Sequence, residues 1–448
     1  MTVADHLLGI PPSRRAWQDE ADGGWFSDLH EIRWRLPDAV PQPRVALRLK
    51  SVASAIRVLR AFDGHARSLV LLPPSLDEMT SARLAELARC DWVVSDVDQG
   101  PTLGTVPVLR CEALSGFSGR PSAPLPTDWI LCTSGTTAEP KLVRHSLASL
   151  TRTCRLDPRR SADVRWGLLY DYTRFAGLQV LLQSLLSGAT LLAPEMDWTL
   201  EARIRFLSTH GCTHLGGTPT LWRTLLMTPE FDQLRLRQLS LGGEIADDRL
   251  LALLGSRMPA AGIRHIYAST EAGVGFSVND GRAGFPAEYL DNCLPDVRLK
   301  ILHGRLFVGQ AGTGAAPNPD APDDACDADE YVDTGDLVEV CGDRVMFLGR
   351  ASGVINVGGN KVHPEAVERV LLEHEGVAMA RVYARANPIA GALVMAEIVS
   401  AAGYEDEAAL TQSVQRHCEA RLDRHQRPAM LRVVQRIGTT AAGKMSRG

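Results

Sequence analysis

No stretch of the 448 residues stays apolar long enough to cross a bilayer, which takes about 20 consecutive residues in a helix. The opening Met1-Thr2-Val3-Ala4-Asp5-His6 has no basic segment running into an apolar one. No secretory signal is therefore expected, and the setting reads as cytoplasmic, with no membrane partner. The nine cysteines are odd in number, scattered, and never spaced Cys-x-x-Cys. That argues against a disulfide framework or a zinc site, and for reduced thiols used in packing. A net charge of −5 with no basic stripe argues against nucleic acid as the main partner. The Walker A string Gly-x-x-x-x-Gly-Lys-Ser/Thr is missing, and so is any internal repeat.

What is present can fill a large core, since 45% of residues are hydrophobic, and the length exceeds one typical domain. The first forty residues read as irregular, with Pro11-Pro12 and a proline-rich stretch at 37–43. Strand-like and helix-like segments then alternate. Residues 45–49, 68–72 and 92–94 read as strands, and 51–61 as a helix. Ser75-Leu76-Asp77-Glu78 reads as a capping box opening a helix through Arg89. The alternation continues with helices at 178–186 and 200–209 and strands at 189–193, 213–215, 237–243 and 264–267. This order predicts parallel βαβ units. Residues 311–330, rich in Ala, Pro, Gly and Asp, read as a long surface loop. A hairpin follows, 337–340 and 344–348 about the turn Cys341-Gly342-Asp343. After Gly349-Arg350 the character changes to a small α+β unit: a helix from Pro364, strands at 378–384 and 392–399, and a helix at 407–422. The predicted fold is α/β, a large N-terminal domain (1–350) of βαβ units with mixed sheets, joined by a hinge to a small C-terminal α+β domain (351–448).

The most informative string is Thr133-Ser134-Gly135-Thr136-Thr137-Ala138-Glu139-Pro140-Lys141, entered from the apolar Trp129-Ile130-Leu131-Cys132. Glycine allows close backbone approach, the hydroxyls add short donors, and lysine adds a mobile positive charge. Such a loop can cradle a polyphosphate. Taken alone, the same cluster would also serve as an ordinary turn.

Further signals follow in order: Gly242-Gly243-Glu244, Tyr267-Ala268-Ser269-Thr270-Glu271, Thr334-Gly335-Asp336, Gly349-Arg350 and Gly443-Lys444. From about Val45 to the end, this order resembles the adenylate-forming superfamily of acyl-CoA synthetases, peptide-synthetase adenylation domains and luciferases. The resemblance implies that Thr133, Ser134, Gly135, Thr136, Thr137 and Lys141 hold the β- and γ-phosphates of ATP. Gly243 and Glu244 would border the adenine, Tyr267 would stack on it, and Thr270 would touch the α-phosphate. Glu271 would ligate Mg²⁺, and Asp336 would take the ribose hydroxyls, helped by Arg350. Lys444 would bridge the substrate carboxylate and the α-phosphate. Arg174, Phe175 and Gly242 would border the acid.

Several positions depart from the pattern. Ala138 and Ala268 stand where glycine is usual. Ser352, beside Gly353, takes the hinge position. Asn356 replaces a lysine common in thioester-forming members, and the loop with Gly359 and Lys361 that would meet the acceptor follows it. Arg174 stands where acyl and aryl ligases often have histidine and amino-acid-activating domains aspartate. It argues against a free α-amino acid. It either meets a second anionic group on the substrate, pairs with Asp171, or faces solvent. Trp166, Tyr170, Tyr172, Phe175 and Trp222 either line a pocket or belong to the core.

The expected activity is ATP-dependent conversion of a small aryl or short acyl acid to an acyl-adenylate, with pyrophosphate released. Transfer to the thiol of coenzyme A, or of a carrier protein on a separate chain, would follow. The alternative acceptors are nitrogen or oxygen, as in amide ligation or activation of an inorganic oxyanion. A non-catalytic nucleotide-binding relative would have no need of Lys141, Glu271, Asp336 and Lys444 together.

Overall fold

Short strands, many of them rich in leucine and valine, form two parallel-centred sheets, and the apolar helix Phe175–Ser187 packs in the core they share. The computed structural model describes residues 1–20, 23–32, 34, 36, 41–116, 125–133, 141–270, 273–291, 297–310, 331–388, 390–440 and 443–446. The first sheet has seven strands, in the order Thr102–Leu103, Val106–Arg110, Trp92–Ser95, Arg44–Arg48, Ser68–Leu71, Asp128–Thr133, Lys141–Ser146. Its interior pairs are parallel and both outer pairs antiparallel. The second has eight: Gly273–Val278, Gly262–Ser269, Gln238–Gly242, His214–Gly217, Arg165–Gly167, Thr190–Leu192, Arg15–Gln18, Gly23–Trp25. The helix Phe175–Ser187 is buried on most of its surface and ends at Gly188, whose φ of 76° suits the left-handed cap. With the helix Val52–Phe62 it joins Leu69, Trp129 and Leu191 in one core shared by both sheets.

A third, antiparallel sheet contains Phe285–Pro286, Arg344–Arg350, Tyr331–Cys341, Arg305–Gln310 and Val297–Leu302. A smaller C-terminal domain follows. It is built on the strands Ile355–Val357, Asn360–Val362, Val377–Asn387, Gly391–Ser400 and Met430–Val433 with the helices Pro364–Glu373 and Glu407–Arg421, and it has its own core around Val367, Leu371, Val382 and Val414. The α/β class with a large mixed-sheet N-terminal domain and a smaller C-terminal one agrees with the sequence reading.

Three expectations need correction. The described residues among the first forty include regular elements. Arg15–Gln18 pairs in parallel with Thr190–Leu192, and Trp17, Phe26 and Leu29 enter the central core. Burying Phe26 or Leu29 contributes about 1.5–3 kcal/mol each. The carboxylate of Asp63, at the end of the helix Val52–Phe62, accepts from Val3 N at 2.7 Å and Trp129 Nε1 at 2.9 Å, tying this segment down. Second, the helix Glu78–Leu87 is capped by Asp77, whose side chain accepts from Thr80 N, and not by Ser75. Third, the hairpin is longer than the turn residues suggested, so Thr334-Gly335-Asp336 lies within a strand. Residues 311–330 lie outside the described residues.

Burial pushes the thiols of Cys90, Cys132 and Cys212 up to about 12, as befits packing residues. Among the described residues no helix is long and apolar enough to cross a membrane.

Candidate active site

The strands Asp128–Thr133 and Lys141–Ser146 run antiparallel with Thr133 opposite Lys141, so the hydroxyl-rich string connects two neighbouring strand ends. Ser134, Gly135, Thr136 and Thr137 lie outside the described residues, as does Glu271. Thr133 lines a cavity of about 1610 Å³ between the two domains. That exceeds the range of about 300–1,000 Å³ common for one small-molecule ligand, so two can be accommodated.

At one side of this cavity Tyr267 stacks with Phe276 (centroids 5.1 Å apart) and Phe347 (5.3 Å). Its hydroxyl donates to Asp336 Oδ2 at 2.5 Å. Burial, and then the Asp336 charge, raise the Tyr267 phenol's pKa, so it stays protonated and a donor. Arg350 Nε reaches Asp336 Oδ1 at 3.1 Å, across the register pair Asp336–Arg350. Asp336 is therefore held by Tyr267 at one oxygen and by Arg350 at the other. Tyr267, which the resemblance would stack on adenine, also lines the cavity.

On the opposite side, Gly243 sits at φ 82° after the strand Gln238–Gly242. A Cβ built there would lie 3.0 Å from Lys444 Cε and 3.6 Å from Nζ. The lysine stem thus crosses the glycine, brought there by a C-terminal turn closed by Thr440 N to Lys444 O at 2.7 Å and the bridge Thr439–Met445. Glu244 fastens this turn to the large domain. One carboxylate oxygen accepts from Met445 N at 2.7 Å and the other from Thr220 N at 2.9 Å. Thr218, which caps the helix Pro219–Leu226, also donates to Gly443 O.

Arg249 provides a second fastening. Its guanidinium donates to His374 O at 2.7 Å, Glu375 O and Val377 O at 3.2 Å, and Leu372 O, carbonyls in the last turn of the helix Pro364–Glu373 and just beyond it. Sequence reasoning missed Thr218 and Arg249. The Thr218-Pro219 pair was a readable helix start, whereas no local signal marks Arg249.

Arg174, the residue before the helix Phe175–Ser187, donates from Nη1 to Cys132 O at 2.8 Å and lies 4.0 Å from Asp171. It braces the strand that leads into the hydroxyl-rich string. Phe175, Gly242, Thr270 and Ser352 also line the cavity. Trp166 and Tyr170 line it too, but Tyr172 and Trp222 do not. Tyr172 is tied to Leu49 O at 2.6 Å and Trp222 to Ser240 O at 2.9 Å, so both are core. Gly359 and Lys361 lie on the exposed hairpin Ile355–Val357/Asn360–Val362, away from the cavity.

The family model for AMP-binding enzyme matches residues 48–312, and that for the AMP-binding enzyme C-terminal domain matches 366–444. The chain belongs to the AMP-binding enzyme family. This AMP-binding enzyme is 29% identical over 347 residues to the mouse mitochondrial acyl-coenzyme A synthetase ACSM4, covering 71% of this chain and 59% of that one. It therefore spans well under two thirds of that relative's length. Its fold is similar to that of *Bacillus subtilis* o-succinylbenzoate CoA synthetase with an acyl-adenylate (TM-score 0.75, 19% identity, 99% and 96% of the two chains). It is also similar to that of the amide bond synthetase McbA from *Marinactinospora thermotolerans* (TM-score 0.75, 20% identity, 99% and 97%).

Proposed function

We propose that this chain activates a small aryl or short acyl carboxylic acid with ATP and passes the acyl group to a thiol of coenzyme A or a carrier protein. The observation that carries the reading is Lys444, delivered across Gly243 into the same cavity as the doubly held Asp336. In this reading Asp336 accepts the ribose hydroxyls and Arg350 steadies it. Gly243, Glu244 and Tyr267 shape the base site. Thr133, Ser134, Gly135, Thr136, Thr137 and Lys141 surround the β- and γ-phosphates, and Thr270 meets the α-phosphate. Arg174, through Cys132, positions the strand before the loop, and Phe175 and Gly242 border the acid.

Two anions must approach each other, and positive charge at their meeting point lowers that barrier. Lys444 supplies it. One carboxylate oxygen forms a bond to the α-phosphorus, and the α–β bridging P–O bond breaks, releasing pyrophosphate. The product is an acyl-adenylate. Attack of a thiolate on its acyl carbon then expels AMP. Magnesium, when bound, neutralises phosphate charge, and an ion that keeps most of its ligands as phosphate and water oxygens needs only one or two protein carboxylates. Glu271 is the proposed one. A division at residues 350/351 with Ser352 as hinge would let the small domain turn and bring Gly359 and Lys361 to the acceptor.

Likeness to named CoA ligases supports the thiol acceptor. Asn356 and the likeness to an amide bond synthetase favour a nitrogen acceptor as the second reading. The test is acid-dependent pyrophosphate release from Mg-ATP, with coenzyme A or an amine added in turn. Faster AMP release with coenzyme A supports the first reading, and faster release only with amine the second. No pyrophosphate with any acid would overturn both.

A further inference from the structure

The cavity continues past the Lys444 side as a channel between one helix and three strands. Its floor is formed by register partners that share one sheet face: His214 beside Gln238, Gly216 beside Ser240 beside Arg264, and Gly242 beside Ile266. Its roof is the face of the helix Phe175–Ser187 carrying Phe175, Gln179, Val180 and Gln183. Small residues at 216, 240 and 242 keep the floor low. Arg264 stands two residues further back along the strands than the level of Gly242, roughly 7 Å.

The lining beyond Gly242 is rich in cationic groups. Arg155 is exposed and lines the cavity, and its backbone is clamped by Gln183, which accepts from Arg155 N at 2.9 Å and donates to Arg155 O at 3.0 Å. Arg264 is half-buried, and among the described residues its guanidinium makes no hydrogen bond or ion pair. The nearby carboxylates are already used. Asp157 faces Arg160 at 3.4 Å, and Asp163 pairs with Arg237 at 2.6 Å. Burial first, and then the Arg155 charge, depress the Arg264 guanidinium's pKa. Two guanidinium groups that line one cavity, with no carboxylate among the described residues paired to either, favour an anion there.

We infer that the activated acid carries a second carboxylate, received by Arg264 and Arg155 where the cavity lining extends beyond Gly242, while the reacting carboxylate lies at Lys444. The inference rests on the adenylation reading and narrows its substrate to dicarboxylic acids. It places the second-anion contact at Arg264 in place of Arg174, one Nη of which already braces Cys132 O. A planar guanidinium suits bidentate capture of a carboxylate.

The experiment measures pyrophosphate release by the full chain with matched monoacids and α,ω-diacids of graded length, for wild type, Arg264→Gln and Arg264→Lys. Calorimetric titration of each protein with the same diacids runs alongside. The expected result is a diacid preference of at least about tenfold in kcat/KM in wild type, lost in Arg264→Gln and partly restored in Arg264→Lys. Equal or better use of monoacids by wild type, or a preference unmoved by Arg264→Gln, would overturn the inference. If no acid yields pyrophosphate, the adenylation reading fails by itself. Diacid binding that Arg264→Gln abolishes would then still support the second-anion site, and no diacid binding would overturn it.

Discussion

Gly243 carries two constraints at one position. Its φ of 82° strains any side chain, and a Cβ would press on the Lys444 stem at 3.0 Å. Gly243→Ala is expected to displace the lysine without removing its charge, lowering the rate of pyrophosphate formation about tenfold or more. Lys444→Ala should lower it further, by about 10²–10³, and the double variant should fall no lower than Lys444→Ala. Full additivity in single-turnover kinetics would show that the two residues act separately. A second residue-scale effect concerns His214, whose ring packs at a tilt against Trp166, centroids 4.8 Å apart. Burial first, then the Arg237 guanidinium, lower its pKa to about 4 from 6.5, against the opposing pull of Asp163. Between those values the unfolded chain binds a proton that the folded one does not, so this contribution to stability is lost as pH falls from about 6.5 to about 4. Allowing for partial solvent access, the loss is about 1–2 kcal/mol. Urea unfolding of wild type and His214→Gln at neutral pH and at about pH 4.5 should show the smaller pH dependence in the variant.

At the scale of elements, the helix Pro364–Glu373 is held to the large domain from its C-terminal end. Arg249 gathers several carbonyls there, where a helix end favours a cation. Arg249→Ala is expected to leave each core intact but loosen the small domain, slowing adenylation about tenfold and raising hydrogen exchange in residues 372–377. Unchanged exchange there would sink the idea. None of this could be read from the sequence, because Arg249 and His374 are 125 positions apart and nothing in either local pattern names its partner. Lys444 and Asp336 could be singled out because their motifs, in their order along the chain, resemble those of the adenylate-forming superfamily. That Tyr267 donates to Asp336, 69 positions away, was not legible. The helices Phe175–Ser187 and Glu407–Arg421 were legible in large part, at 178–186 and 407–422, whereas the helix Asp248–Arg257 was missed. The short elements at the start, Val3–Leu7, Arg15–Gln18 and Phe26–His30, hold too few residues to establish a period and depend on tertiary burial.

For the whole molecule, that opening segment matters in a way unrelated to adenylation. Arg15–Gln18 covers one side of Thr190–Leu192, and Trp17 closes the core beneath it. A chain begun at Arg44, near where the alternation starts, would keep the residues assigned to ATP and acid yet bare a row of unpaired amides and carbonyls beside Leu191 and Leu192. Light scattering on such a chain is expected to show assemblies that grow with concentration, and a monodisperse sample would refute this. The N-terminal segment is in this sense a stopper: Arg15–Gln18, with Gly23–Trp25 outside it, continues the sheet within its own molecule and denies the Thr190–Leu192 edge to a neighbour.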